Sequence, residues 1–137
     1  MTLPTIKQLE AIVKPAARDI LIPGFGRHAY TYKPDGSIVT PADEAMEQHL
    51  ALELKKAWPE YAVLGEEMSK DEQCAAMTSD AGYWCVDPLD GTNNYATGMP
   101  FFAVSIALII DNRQALGFIF DPLRDEVFSA IKGEGAC

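Results

Sequence analysis

Asp87 and Asp90 flank Pro88-Leu89 in the stretch Trp84-Cys85-Val86-Asp87-Pro88-Leu89-Asp90-Gly91-Thr92-Asn93-Asn94, directly after an apolar run that reads as a buried strand. Two carboxylates at this spacing can converge only if the backbone between them is held in a fixed turn. Pro88 sets its own φ and disfavours the helical region for Asp87, and Gly91 permits a sharp reversal. The turn lets both carboxylates and the Leu89 carbonyl approach one point. Hard oxygen donors of this kind, with water completing the shell, suit Mg²⁺. If Thr92 begins a short helix, its free N–H groups and the positive end of its dipole offer a phosphate a grip from the opposite side. A divalent ion also makes bound water more acidic, so the chemistry suggested is hydrolysis of a phosphate ester.

Further acids stand at the ends of predicted elements: Asp43 after Thr40-Pro41, and Glu66-Glu67 after Ala62-Val63-Leu64-Gly65. Taken singly, each acid has an ordinary explanation. Asp43 caps a helix, Glu66-Glu67 form a solvated loop and Asp87-Pro88 opens a turn. Other patterns do not fit the same letters. The haloacid-dehalogenase phosphatases place a nucleophilic aspartate two residues before the aspartate of an Asp-Gly-Thr, where this chain has Pro88. An EF-hand loop counted from Asp87 would put Leu89, Gly91 and Gly98 at ligand positions. There is no Walker A sequence, and His28 and His49 lack metal-ligand spacing.

The elements that must carry these residues follow from periodicity. Ile6, Leu9, Val13, Ala16, Ala17 and Ile20 predict an amphipathic helix over residues 4–22, kinked at Pro15. Alternation on both sides of Lys33-Pro34-Asp35-Gly36 predicts a hairpin. Thr40 is the expected N-cap of a second helix, with Pro41 at its first position, Asp43 completing a capping box, a stripe of Met46, Leu50, Leu54 and Ala57, and Pro59 ending it. Tyr61–Gly65 and Gly82–Val86 suit strands. Phe101–Ile109, Ala115–Phe120 and Glu126–Ala130 read as three strands of an antiparallel meander. The expected class is α+β: two N-terminal helices packed on a mainly antiparallel sheet, in a single domain over residues 1–137.

The 137 residues are 48% apolar, enough for a core, and carry 20 acidic against 11 basic side chains. A net charge of −9 with no Lys/Arg block argues against a nucleic-acid polymer as partner. Cys74, Cys85 and Cys137 form no CxxC pair and are odd in number, which favours a reducing compartment over a disulfide framework. No apolar run approaches membrane-spanning length and the start lacks a signal-peptide pattern, so no membrane partner and a cytoplasmic location are expected.

Four motifs in order carry a resemblance that covers nearly the whole chain: Asp35–Asp43 (DGSIVTPAD), Leu64–Glu67 (LGEE), Trp84–Tyr95 (WCVDPLDGTNNY) and Pro100–Leu108 (PFFAVSIAL), with Gly133–Cys137 (GEGAC) resembling the turn after the meander. Together they resemble the lithium-sensitive, magnesium-dependent inositol monophosphatase family. The resemblance implies the N-terminal half of a layered αβαβα fold and an Mg²⁺-dependent hydrolase of small phosphate monoesters, with Mn²⁺ as the other metal that could serve. It implies metal ligation by Glu66, Asp87, the Leu89 carbonyl and Asp90, and catalytic roles for Asp43, Thr92 and Glu66. Phosphate binding would fall to the Gly91 and Thr92 N–H groups, with Glu67 and Lys33 in support. A homodimer of the full-length protein is implied as well. Family members are about twice as long, and a Trp-Asp motif in their second half, absent from this sequence, completes a second metal site. The chain is therefore expected to be an N-terminal portion, inactive alone, of such a phosphatase. The alternative is a non-catalytic metal- or phosphate-binding module, or half of a split enzyme. Inositol phosphate, histidinol phosphate, a sugar phosphate and a nucleotide all stay open as substrate.

Overall fold

Residues 3–27, 30–66 and 68–137 are described by a computed structural model. Thr5 opens α1 (Ile6–Ala16) with a capping box shared with Gln8. The Pro15 ring removes a donor and crowds the preceding turn. The helix does not end there but widens into a π-helical segment, Ala17–Leu21, before the short α2 (Ile22–Gly24). The expected kink is thus met by a change of helical pitch. Leu9, Val13, Ala16, Ala17 and Leu21 make the buried stripe, and Ile20 lies only partly buried beside it.

The expected hairpin forms from β1 (Thr31–Tyr32) and β2 (Ile38–Val39). It leads into α3 (Pro41–Ala57), which begins with the Thr40–Asp43 capping box and buries Met46, Leu50 and Leu54. Ala57, expected at the end of that stripe, is exposed; Trp58, the C-cap residue, takes the buried place.

A six-stranded sheet follows in the order β3-β4-β5-β6-β7-β8. Its strands are β3 (Ala62–Gly65), β4 (Tyr83–Asp90), β5 (Ala103–Ile110), β6 (Arg113–Asp121), β7 (Glu126–Ile131) and β8 (Gly135–Ala136). β3 runs parallel to β4 and every other pairing is antiparallel. The β3–β4 crossover carries α4 (Lys70–Met77), opened by a Ser69–Glu72 capping box, and α5 (Thr92–Thr97) links β4 to β5. The fold is α+β, as expected. α1 and α3 cover one face of the sheet, with Trp84, Val86, Ile106, Leu108 and Phe118 at the centre of the core. On the opposite face Ile119 and Phe128 are 44% and 51% exposed. Among the described residues no helix is long and apolar enough to cross a membrane.

Candidate active site at the end of strand β4

Sequence alone places Asp87 and Asp90 in a loop after a strand that ends at Val86. They lie instead within β4, whose last residues are bulged. Asp87 pairs with Ser105 and Asp90 with Ala103, so three steps on β4 face two on β5. One residue is extra there. Pro88 has no N–H to give a ladder, and a bulge is where a sheet tolerates that loss. The buried Leu89 side chain anchors the bulge in the core, while Asp90 is exposed.

Gly91 then reverses the chain. It sits at φ +92°, and a Cβ there would come within 2.8 Å of the Phe101 carbonyl oxygen, so both conformation and space require glycine. Gly91 is also the N-cap of α5 and provides no side-chain cap, which places Thr92 one residue inside the helix. A helix-capping explanation of the Thr92 hydroxyl is therefore excluded. Its Oγ1 lies 3.1 Å from Asp43 Oδ1 and 3.1 Å from the Leu89 carbonyl oxygen, and its one proton is shared between these acceptors. Tyr95, on the same helix, donates from its hydroxyl to the Leu21 carbonyl at 2.7 Å and ties α5 to the end of the π-helical segment.

Asp43 is 5% exposed and uses its two oxygens separately. Oδ2 accepts from the Thr40 N–H at 2.8 Å and the Thr40 hydroxyl at 2.6 Å, which completes the cap. Oδ1 is left to face Thr92 across 49 residues of chain. Capping and site position are thus met by one carboxylate.

Glu66 stands just past β3 and pairs with Lys33 from the hairpin, Nζ to Oε1 at 3.1 Å. The Glu66 side chain is 62% exposed, so this pair adds little stability and serves mainly to offset charge. Glu67 lies outside the described residues, as does His28.

Negative charge accumulates where these segments meet. The Asp87 carboxyl is pushed up to about 6, first by burial, then by the charges of Asp90 and Glu66, with Asp43 adding a smaller push and the Leu89 backbone N–H pulling the other way. Mutual repulsion among oxygen donors is what a hard divalent cation relieves, so the donor set fits Mg²⁺ or Mn²⁺. Among the described residues, however, no three acidic, histidine or cysteine side chains close into a cage.

The structure therefore brings Asp43, Thr92, Leu89 and Asp87 to one place and sets Glu66 with Lys33 at its edge. One acid escaped the sequence reading: Glu47, four residues after Asp43 and only 7% exposed. A glutamate inside the Met46–Leu50 apolar stripe was the available signal.

The sequence model of the inositol monophosphatase family matches residues 4–137. The Haemophilus influenzae protein named Nus factor SuhB is 41% identical over 106 residues, which are 77% of this chain and 38% of that protein. Inositol monophosphatase 2 of Solanum lycopersicum is 36% identical over 121 residues, 88% of this chain and 46% of that one. Among solved structures, extragenic suppressor protein suhB from Bartonella henselae superposes with a TM-score of 0.82 at 34% identity, covering 94% of this chain and 49% of that one. The chain thus spans about half the length, or less, of the relatives it matches.

Proposed function

This chain belongs to the inositol monophosphatase family, and on that premise we propose that the protein hydrolyses small phosphate monoesters at the end of β4, with Mg²⁺ or Mn²⁺ as cofactor. The observation that carries the proposal is the hydrogen bond from Thr92 to Asp43 beside the acidic end of β4. It supports the reading because a hydroxyl whose proton is engaged in this way can accept a hydrogen bond from a water and orient it.

Glu66, Asp87, Asp90 and the Leu89 carbonyl would hold the metal. When bound, the metal polarises the phosphoryl oxygens and makes water more acidic. The remaining work belongs to side chains and backbone of this chain. Asp43 Oδ1 accepts the Thr92 proton, which turns the Oγ1 lone pairs outward to accept from a water and orient it. Gly91 and Thr92 direct N–H groups from the start of α5 toward the phosphoryl oxygens. Lys33 balances the charge of Glu66, and Glu67, the next residue in sequence, is assigned a supporting role. To the proposal belong lithium inhibition and a homodimer of the longer protein, which the family resemblance implies, and the cytoplasmic location and single domain over residues 1–137 expected from the sequence.

Calorimetric titration with Mn²⁺ of the wild type and of Asp87→Asn tests the metal assignment. Binding should weaken at least tenfold in the variant, and equal heats would remove Asp87 from the site. Relatives carrying the name Nus factor SuhB at 36–45% identity favour a second reading, in which the protein has a role of that kind. Thr92→Val separates the two, because it should lower turnover roughly a hundredfold and leave such a role intact.

A further inference from the structure

α3 carries a second buried acid that the proposed chemistry does not use. Glu47 follows Asp43 by four residues, so the two stand one above the other on the same helical face, and both are buried, at 7% and 5% exposure. Asp43 reaches across to Thr92 and so grips the loop after β4. Glu47 points at Gly65, the last residue of β3. A Cβ built on Gly65 would lie 2.6 Å from Glu47 Cδ and 3.1 Å from its Cγ, and would collide with Oε1 as well. Gly65 does not have a positive φ, so its backbone conformation would accept any residue. A Cβ at this position could be seated only if the buried Glu47 side chain moved away from it. A buried carboxylate is kept in place by the contacts that offset its lost hydration, so its position is well defined. Here it sits against the residue that precedes Glu66.

We propose that Glu47 is a positioning residue: its carboxylate, seated against Gly65, fixes the end of β3 and thereby sets where Glu66 stands relative to Asp87. The role of Glu66 as a metal ligand rests on the function proposed above; the mechanical coupling of Glu47 to the β3 end does not. In this arrangement α3 holds both halves of the site from below, Asp43 fixing one loop and Glu47 the other, so the spacing of the two acids on one helix determines the separation of the two loops.

The test combines amide hydrogen exchange at residues 64–66 with Mn²⁺ affinity in Glu47→Gln, Glu47→Ala, Gly65→Ala and the double variant, alongside Glu66→Gln. Exchange at the β3 end should speed up tenfold or more in Glu47→Ala and in Gly65→Ala, with Mn²⁺ binding weakened by a similar factor. Glu47→Gln, which keeps shape and an acceptor oxygen, should hold exchange within a fewfold of wild type and also guards against loss of folding in the alanine variant. In the double variant the Cβ has room, so adding Gly65→Ala to Glu47→Ala should cost little more than Glu47→Ala alone. Gly65→Ala equally damaging in both backgrounds, or unchanged exchange in Glu47→Ala, would overturn the proposal. If Glu66→Gln leaves Mn²⁺ affinity unchanged, the metal role of Glu66 fails, and the exchange data still decide the role of Glu47.

Discussion

Thr92 is the residue whose chemistry is most exposed to test. Thr92→Val keeps its shape and removes the hydroxyl shared by Asp43 and Leu89. In a full-length version, steady-state turnover should fall roughly a hundredfold, the scale of losing a group that moves or orients a proton. Stability should fall by only about 1 kcal/mol, the net worth of one hydrogen bond. Turnover within a fewfold of wild type would move the water-orienting role elsewhere. Tyr95 makes a different kind of contribution. Burial, with a smaller push from Asp43, raises its phenol to about 12, whereas an unfolded tyrosine ionises near 10. Between those values the unfolded chain binds fewer protons than the folded one, so stability is complete below about pH 10 and declines as pH rises toward 12. Tyr95→Phe should flatten that alkaline decline in denaturant titrations. It should also lower stability at neutral pH by about 1–3 kcal/mol, because the Leu21 carbonyl loses its donor.

At the scale of elements, α3 acts as the lever, and its first turn is where it can be loosened. Thr40→Ala removes the side-chain half of the cap and one of the two donors that hold Asp43 Oδ2. It should cost about 1–2 kcal/mol and lower Tm by roughly 4 °C in calorimetry. Turnover should fall as well, because the partner of Thr92 is held less firmly. This cap was legible in the sequence because Thr-Pro-x-Asp encodes it within four residues; the hairpin at Pro34-Asp35-Gly36 and the meander were legible for the same local reason. α4 was missed although Ser69 and Glu72 carry a capping box of their own, since its exposed, polar length shows no apolar period to follow it. The bulge in β4 could not be read from Asp87-Pro88-Leu89-Asp90, because the same four letters serve a loop and a bulged strand, and only the β5 partner tells them apart. For Glu47 the surrounding apolar stripe signals a buried acid but not what that acid packs against. What identifies it is Gly65, 18 positions away in the sequence and adjacent only after folding.

The whole molecule bears a net charge of −9 with several of its acids facing one another at the site. A bound divalent ion relieves that repulsion in the folded chain alone, so it should raise thermal stability. Mn²⁺ at a hundred times its Kd should add about 2.7 kcal/mol, and Asp87→Asn should abolish most of the rise in Tm. The parallel pairing of β3 with β4 has a consequence for the order in which the chain acquires its shape. β5, β6 and β7 are neighbours joined by short reversals, beginning with the two left-handed residues Asp111 and Asn112. Their contacts close small loops and should come early, whereas β3 must await a crossover and Asp43 must find Thr92 across 49 residues. The Asp43–Thr92 contact should then be among the last parts to form. In stopped-flow kinetics Ile106→Val, a buried residue of β5 in the meander, should chiefly slow refolding. Thr92→Val should chiefly quicken unfolding, and a slowed refolding limb in that variant would show that the site nucleates the fold.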